Sequence, residues 1–328
     1  MVIPSKDWKE IIEIGEEKEF EFYAIKLGEI QKKKNGEYGK GRGLHRKQIA
    51  GLKGSFEVLD SIPDYAKFGL FAKPGTYETI FRLSNGGMEV RPDFIPDIRG
   101  FSFKVKGVEG ESALGNGKVD CQDFTLINHS KFSFPRSKEF LGLVFAVSEG
   151  GFGIISYMMK TFGLIDGIKK AIDSSGAISK PFSGFGTEQF YSAAPISCGP
   201  YACKVRILPE SKQEDLIPVT DWAFDLQNKL RDSNLKFDFQ LQFFISEDKT
   251  PIEDASIDWK EEVSPFITVG KIIIPSQEVD TSNSSEFSKF IEASVFDPWN
   301  GLADHRPLGN IMRTRKYVYY ESQKNRGV

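Results

Sequence analysis

The segment Lys236-Phe237-Asp238-Phe239-Gln240-Leu241-Gln242-Phe243-Phe244-Ile245-Ser246 decides the architecture. Lys236, Asp238, Gln240 and Gln242 alternate with Phe237, Phe239, Leu241 and Phe243. A period of two belongs to a strand with one face in a core. Working outward, residues 55–59, 67–72, 77–84, 100–106, 123–128, 203–208 and 266–274 are further short runs bounded by Gly, Pro, Asp or Asn. These make eight strands in meander order. Residues 136–195 interrupt them, because 139–147 and 154–171 have helical spacing, with glycines and a Met158-Met159 pair. The expectation is an α+β protein on a closed antiparallel eight-stranded β-barrel, with a helical insertion and C-terminal helices.

Residues 1–40 are charged and read as an N-terminal helical arm, helical in parts such as 8–14, with Lys32-Lys33-Lys34-Asn35-Gly36 as a solvated turn. Residues 41–328 then form a single domain, with the insertion at 136–195 and the C-terminal helices at 277–328. The insertion reads as buried helix, with contact to a lipid surface as the alternative.

The 328 residues are enough for one large domain, and 40% hydrophobic with 27% charged residues is ordinary for a globular protein. A net charge of −3 argues against nonspecific nucleic-acid binding, which needs a basic field. No run of 18 uncharged apolar residues is present, so no transmembrane segment is expected. Residues 1–15 are acidic and lack the apolar core of a secretory signal. Cys121, Cys198 and Cys203 are odd in number and form no CxxC pair, which disfavours a disulfide framework or a zinc site. Together these features suggest a reducing, cytoplasmic setting. The 28 phenylalanines suit either a β-rich core or the lining of a flat ligand.

The last helix carries the chemistry. At about 100° per residue, Arg315, Tyr319 and Arg326 fall within about 40° of one another, on a stripe about 16 Å long. A guanidinium one turn before a tyrosine favours the phenolate. A phenolate suits ferric iron, and tyrosine is an axial ligand of haem. The second arginine, two turns on, could pair with a haem propionate. Tyr317 has Arg313 at the same spacing but lies about 180° from Arg326, and Tyr320, with Lys316, is also off the stripe. Read without a ligand, the stripe is a solvated basic helix end. Of the three histidines, His45, His129 and His305, the first lies in Arg42-Gly43-Leu44-His45. In an extended segment that spacing could aim the cation at a cofactor edge and the imidazole at its face.

Several segments carry a resemblance. Arg42-x-x-His45 followed by Gly54-x-Phe56-Glu57-Val58 resembles the distal segment of haem catalases. So do Arg82-Leu83-Ser84 and then Asp97-Ile98-Arg99-Gly100-Phe101-Ser102-Phe103-Lys104. The stretch Gln122-Asp123-Phe124 to Phe134-Pro135 is similar to the next strand of that family. Phe296-Asp297-Pro298-Trp299-Asn300, His305-Arg306-Pro307-Leu308-Gly309 and Arg315-x-x-x-Tyr319 look like the short catalase-related proteins. The resemblance covers about residues 40–328 and implies a b-type haem (iron protoporphyrin IX), with Tyr319 as the iron's axial ligand. Arg315 would hold that tyrosine ionised, and Arg42, Arg82 and Arg326 would neutralise the propionates. His45 would be the distal acid–base, buttressed by Ser84, and Phe134 would belong to the cofactor's surroundings.

Three departures stand out. The distal asparagine of the large catalases aligns on Cys121 or Gln122. Gln122 could donate the same amide hydrogen bond, whereas a cysteine could not and would be oxidisable by peroxide. Leu44 stands where the family has valine. The chain has no counterpart of the wrapping segments and extra domain of long catalases, so a haem would be reached by larger molecules. Shortness, the apolar insertion and the altered amide favour organic, fatty-acid-type hydroperoxides as substrates. A true catalase acting on hydrogen peroxide and a noncatalytic haem-binding protein are the alternatives, and a homodimer stays open as an assembly.

Overall fold

The computed structural model describes residues 3–210 and 221–328. Nine strands occur among them: β1 (Gln48–Val58), β2 (Gly75–Asn85), β3 (Arg99–Glu111), β4 (Lys118–Ile127), β5 (Phe190–Tyr191), β6 (Ile196–Cys198), β7 (Tyr201–Pro209), β8 (Leu235–Phe243) and β9 (Phe266–Ile274). They hydrogen-bond antiparallel in the order β5-β4-β3-β2-β1-β9-β8-β7-β6, and an added β5–β7 pairing closes eight of them into a barrel. The helices are α1 (Glu16–Tyr38), α2 (Ser137–Ser148), α3 (Gly151–Phe162), α4 (Leu164–Ile178), α5 (Trp222–Asp232), α6 (Glu286–Ala293) and α7 (Asn310–Arg326).

The alternation in β8 does what its spacing demands. Phe237, Phe239 and Leu241 point into the barrel with no exposed surface. They meet the inward residues of the opposite strands there. Phe56 stands edge-on to Phe239 with ring centroids 5.0 Å apart, and Phe101 meets Phe237 at 5.4 Å. Removing each such ring from water contributes about 2–3 kcal/mol, so the phenylalanine-rich composition is chiefly the barrel core.

Four local expectations fail for tertiary reasons. Residues 67–72 form a 3-10 turn at Gly69–Phe71 rather than a strand, and Gly69 has φ +52° because His305 packs where a side chain would go. The eighth barrel strand is instead the dipeptide β5. Residues 8–14 are not helical: they are pinned in extended form by Trp8 Nε1 donating to the Pro200 carbonyl and by Glu10 pairing with Arg306 and Arg313. The lysine run 32–34 with Asn35 and Gly36 is not a turn but the last part of α1, whose Leu27 and Gln31 are held against other elements. The helical run 154–171 is split at Gly163, which has φ +81°. Helix α5, capped by Asp221 and burying Trp222, Leu226 and Leu230 at four-residue spacing, is an addition to the expected elements.

The helices cover one face of the barrel and frame a cleft there. Helix α1 packs along α7 through Phe20, Tyr23, Ala24 and Leu27 against Tyr317 and Val318. Gly28 permits the close approach, since a Cβ there would come 3.0 Å from the Asn325 side chain. Helix α2 closes the third side, leaving a cleft between β-barrel, α2 and α7.

Candidate active site

Helix α7 begins at a Gly309 N-cap with φ +85° and is fixed in place by Arg313. That guanidinium makes ion pairs with Glu10 (2.9 Å), Glu16 (2.6 Å) and Glu253 (2.9 Å). Three carboxylates from separate parts of the chain thus set the rotation of α7. With Arg313 and Tyr317 turned toward α1, the opposite face meets the cleft. Arg315, Val318, Tyr319, Ser322, Gln323 and Arg326 line it. Arg315 Nη2 donates to Tyr319 Oη and to Thr125 Oγ1, each at 2.7 Å. The pair is therefore oriented by strand β4 as well as by helical spacing. Tyr317 packs on Phe20 with ring centroids 5.7 Å apart, and Tyr320 is exposed, so neither competes for the cleft.

Arg42, Arg82 and Arg326 gather in the cleft around one acid. Arg42 Nη1 meets Glu292 Oε1 at 2.7 Å, Arg82 reaches Oε2 at 2.8 Å, and Arg326 Nη1 donates to the Glu292 carbonyl at 3.1 Å. Burial works to raise the Glu292 carboxyl, but Arg82 and Arg42 outweigh it and hold it below the usual range. Burial first, then Arg82 and Arg326, push Arg42 well below an ordinary arginine. The cradle therefore carries more positive charge than Glu292 balances. Arg326 Nε is buried with no hydrogen-bond partner. A dianionic ligand edge would supply both the missing charge and the missing acceptor.

His45 faces this cleft from the segment before β1. Its backbone has φ +52°, a conformation that histidine, asparagine and aspartate tolerate better than most residues. The turn is held from outside: Asp97 Oδ2 accepts from the Gly86 and Gly87 amides, and the carbonyls of those glycines accept from the His45 and Arg46 amides. The imidazole Nδ1 lies 3.2 Å from Ser84 Oγ. Gly100 is required beside them, because a Cβ there would sit 2.5 Å from Nδ1 and 2.6 Å from Ser84 Oγ. Burial, then the charges of Arg82 and Arg315, lower the His45 pKa to about 3. The ring is therefore neutral at physiological pH, and burial and the neighbouring arginines oppose its protonation.

Around these polar groups the cleft is apolar, lined in part by Leu44, Ile127, Phe132, Phe140, Leu141 and Phe296. Its cavity volume is about 160 Å³, and it opens to solvent. Two assigned residues lie elsewhere. Gln122 is buried outside the cleft: its Nε2 donates to the Asp123 carbonyl and its Oε1 accepts from the Leu302 amide. From β4 the cleft is lined by Thr125, Leu126 and Ile127, the last pairing across the sheet with Gly100, and Gln122 is not among them. Phe134 stacks on Phe162 at 5.9 Å outside the cleft, and Phe132, two residues earlier, lines it. Cys121 is half-buried near Lys104 and Asn300, also outside. His305 is buried between the Leu70 amide, which donates to Nε2 at 3.0 Å, and the Ser197 carbonyl. Glu292 was not singled out in the sequence because one acid in an amphipathic helix has no distinguishing pattern. Nothing local could have placed Phe132 ahead of Phe134.

No family model matches the chain, and no curated protein matches it. Solved structures do. Catalase A from Saccharomyces cerevisiae superposes with a TM-score of 0.67 at 17% identity, over 87% of this chain and 61% of that one. A bacterial catalase gives 0.66 at 17% identity, over 92% and 60%. A fungal catalase gives 0.65 at 16% identity, over 87% and 59%. The chain has the fold found in catalases and spans about three fifths of the length of these relatives.

Proposed function

We propose that this chain is a haem enzyme of the catalase-related kind that cleaves organic hydroperoxides, fatty-acid hydroperoxides in particular. The observation that carries the proposal is the Arg315–Tyr319 pair in the same cleft as an arginine cradle with surplus positive charge and an unpartnered Arg326 Nε. Tyr319 and Arg326 are about 10 Å apart along α7 and line the same cleft. A b-type haem would be held there by Tyr319 at its iron and by Arg42, Arg82 and Arg326 at its propionates. When bound it would supply the electrons for O–O cleavage.

The remaining work falls to the chain's own residues. Arg315 donates to the Tyr319 oxygen and fixes its position in the cleft. Ser84 Oγ beside Nδ1 and a hydrogen bond to the Asn85 backbone orient the His45 ring. His45 takes the hydroperoxide O–H proton and returns it to the departing oxygen, as a general base and then a general acid. Gln122 lies outside the cleft, and Phe132, Phe140 and Leu141 in its lining offer about 0.8 kcal/mol per buried substrate methylene. This favours an alkyl hydroperoxide over hydrogen peroxide. The named catalases of the same fold keep hydrogen peroxide as the competing substrate.

The test is reconstitution with haem followed by a product assay. Hydrogen peroxide, a short alkyl hydroperoxide and a fatty-acid hydroperoxide are supplied in turn, and oxygen release is read beside the organic products. The proposal expects organic turnover with little oxygen. Rapid oxygen evolution from hydrogen peroxide alone would replace it with the catalase reading, and stoichiometric haem binding with no turnover of any peroxide would leave a haem-binding protein.

A further inference from the structure

The insertion α3–α4 packs inside out. On α4, Ile165, Ile168, Lys169 and Ile172 fall within about 100° of the helical wheel. The three isoleucines are 82%, 49% and 66% exposed. The opposite side holds Gly167, where a Cβ would lie 2.5 Å from the Met158 carbonyl of α3. On α3, Ile155 and Met159 also face outward, while Gly153 lies close against the Ala146 carbonyl of α2. Met158 is buried and Phe162 packs inward on Phe134, but the closest helix–helix approaches are at glycines and the isoleucines of α4 are left on the surface. A helix in water does the reverse. A helix in contact with lipid does this, because close backbone packing then costs no buried isoleucine.

Charge selects the occupant. Residues 151–180 carry four lysines against two aspartates, in a chain whose net charge is −3. Lys160 and Lys169 are exposed beside the isoleucines. A second copy of the same face would bring these lysines against one another, since a two-fold interface pairs a patch with itself. An anionic surface complements both the lysines and the apolar stripe. Among the described residues no helix is long and apolar enough to cross a membrane, so the hairpin would lie in the headgroup plane. Helix α2, whose Phe140 and Leu141 wall the cleft, leads into it.

We propose that the outward face of the α3–α4 hairpin docks on an anionic lipid bilayer. The proposal stands apart from the haem reading, and its test uses no activity. The full chain is sedimented with phosphatidylcholine vesicles that contain or lack phosphatidylglycerol. Binding is expected only when phosphatidylglycerol is present, and it weakens as salt rises. Replacing Ile165, Ile168 and Ile172 together by serine should weaken binding at least about tenfold, because the apolar anchor is lost. Lys160→Glu with Lys169→Glu should weaken it by about tenfold or more. Both variants alter exposed side chains, and unchanged thermal unfolding shows that they fold. The proposal is overturned if the wild-type chain ignores phosphatidylglycerol vesicles or if the triple serine variant binds them as well as wild type. It is equally overturned if that variant loses self-association in solution while vesicle binding stays the same.

Discussion

Glu292→Gln separates the contribution of the arginine cradle to folding from its proposed role in ligand capture. In the ligand-free protein, Glu292 is the carboxylate that pairs with Arg42 and Arg82, and the Arg82 side chain is 2% exposed. Breaking a buried pair costs about 3–5 kcal/mol. The Glu292 side chain is 33% exposed, so solvent screening reduces the expected loss to about 2 kcal/mol. For a chain of this size that lowers the ligand-free Tm by at least about 3 °C. Haem should behave oppositely. Its propionates would no longer compete with a resident carboxylate, so haem affinity should rise by roughly tenfold, or 1.4 kcal/mol. Scanning calorimetry without haem and a spectroscopic haem titration measure the two effects. If the Tm is unchanged and haem binding is equal or weaker, Glu292 neither holds the arginines nor stands in for an anionic ligand.

Other outcomes follow from the same geometry. His45→Asn, chosen because asparagine accepts the positive φ, should keep the haem spectrum and lose hydroperoxide turnover by at least ~100-fold; near-normal turnover would remove the proton-transfer role. Across hydroperoxides of increasing chain length kcat/KM should rise, four buried methylenes giving ~3 kcal/mol, and a flat series would refute the apolar-cleft argument. His305 has its pKa lowered to about 4 by burial, so between pH 6.5 and 4 the unfolded chain binds a proton that the folded chain refuses. Stability should therefore be full above about pH 6.5 and fall by up to about 3 kcal/mol toward pH 4. His305→Gln should flatten that slope in acid-titrated urea unfolding, and an unchanged slope would show that other groups govern it.

The sequence was most legible where a single periodicity had a single physical cause. Strand β9 matches its expected ends, because Phe266–Ile274 is a β-rich run between a proline on each side. The Arg315–Tyr319 stripe was readable because helix geometry alone puts the two side chains together. Legibility fell where the deciding partner was distant. Residues 8–14 are extended because Trp8 and Glu10 are claimed by Pro200, Arg306 and Arg313, which no local pattern encodes. Gln122 and Ile127 lie on one strand and differ in register, and register is set by pairing with β3 rather than by composition. The two-residue β5 that closes the barrel is too short to show a period at all.

The central claim is that Tyr319 is the ligand around which this cleft is organised, and the absorption spectrum of the reconstituted protein tests it most directly. Tyr319→Phe should abolish the ferric phenolate spectrum and most haem retention, whereas Tyr317→Phe, altering a ring packed on Phe20, should leave both intact. An unchanged spectrum in Tyr319→Phe, or its loss in Tyr317→Phe, would contradict the account.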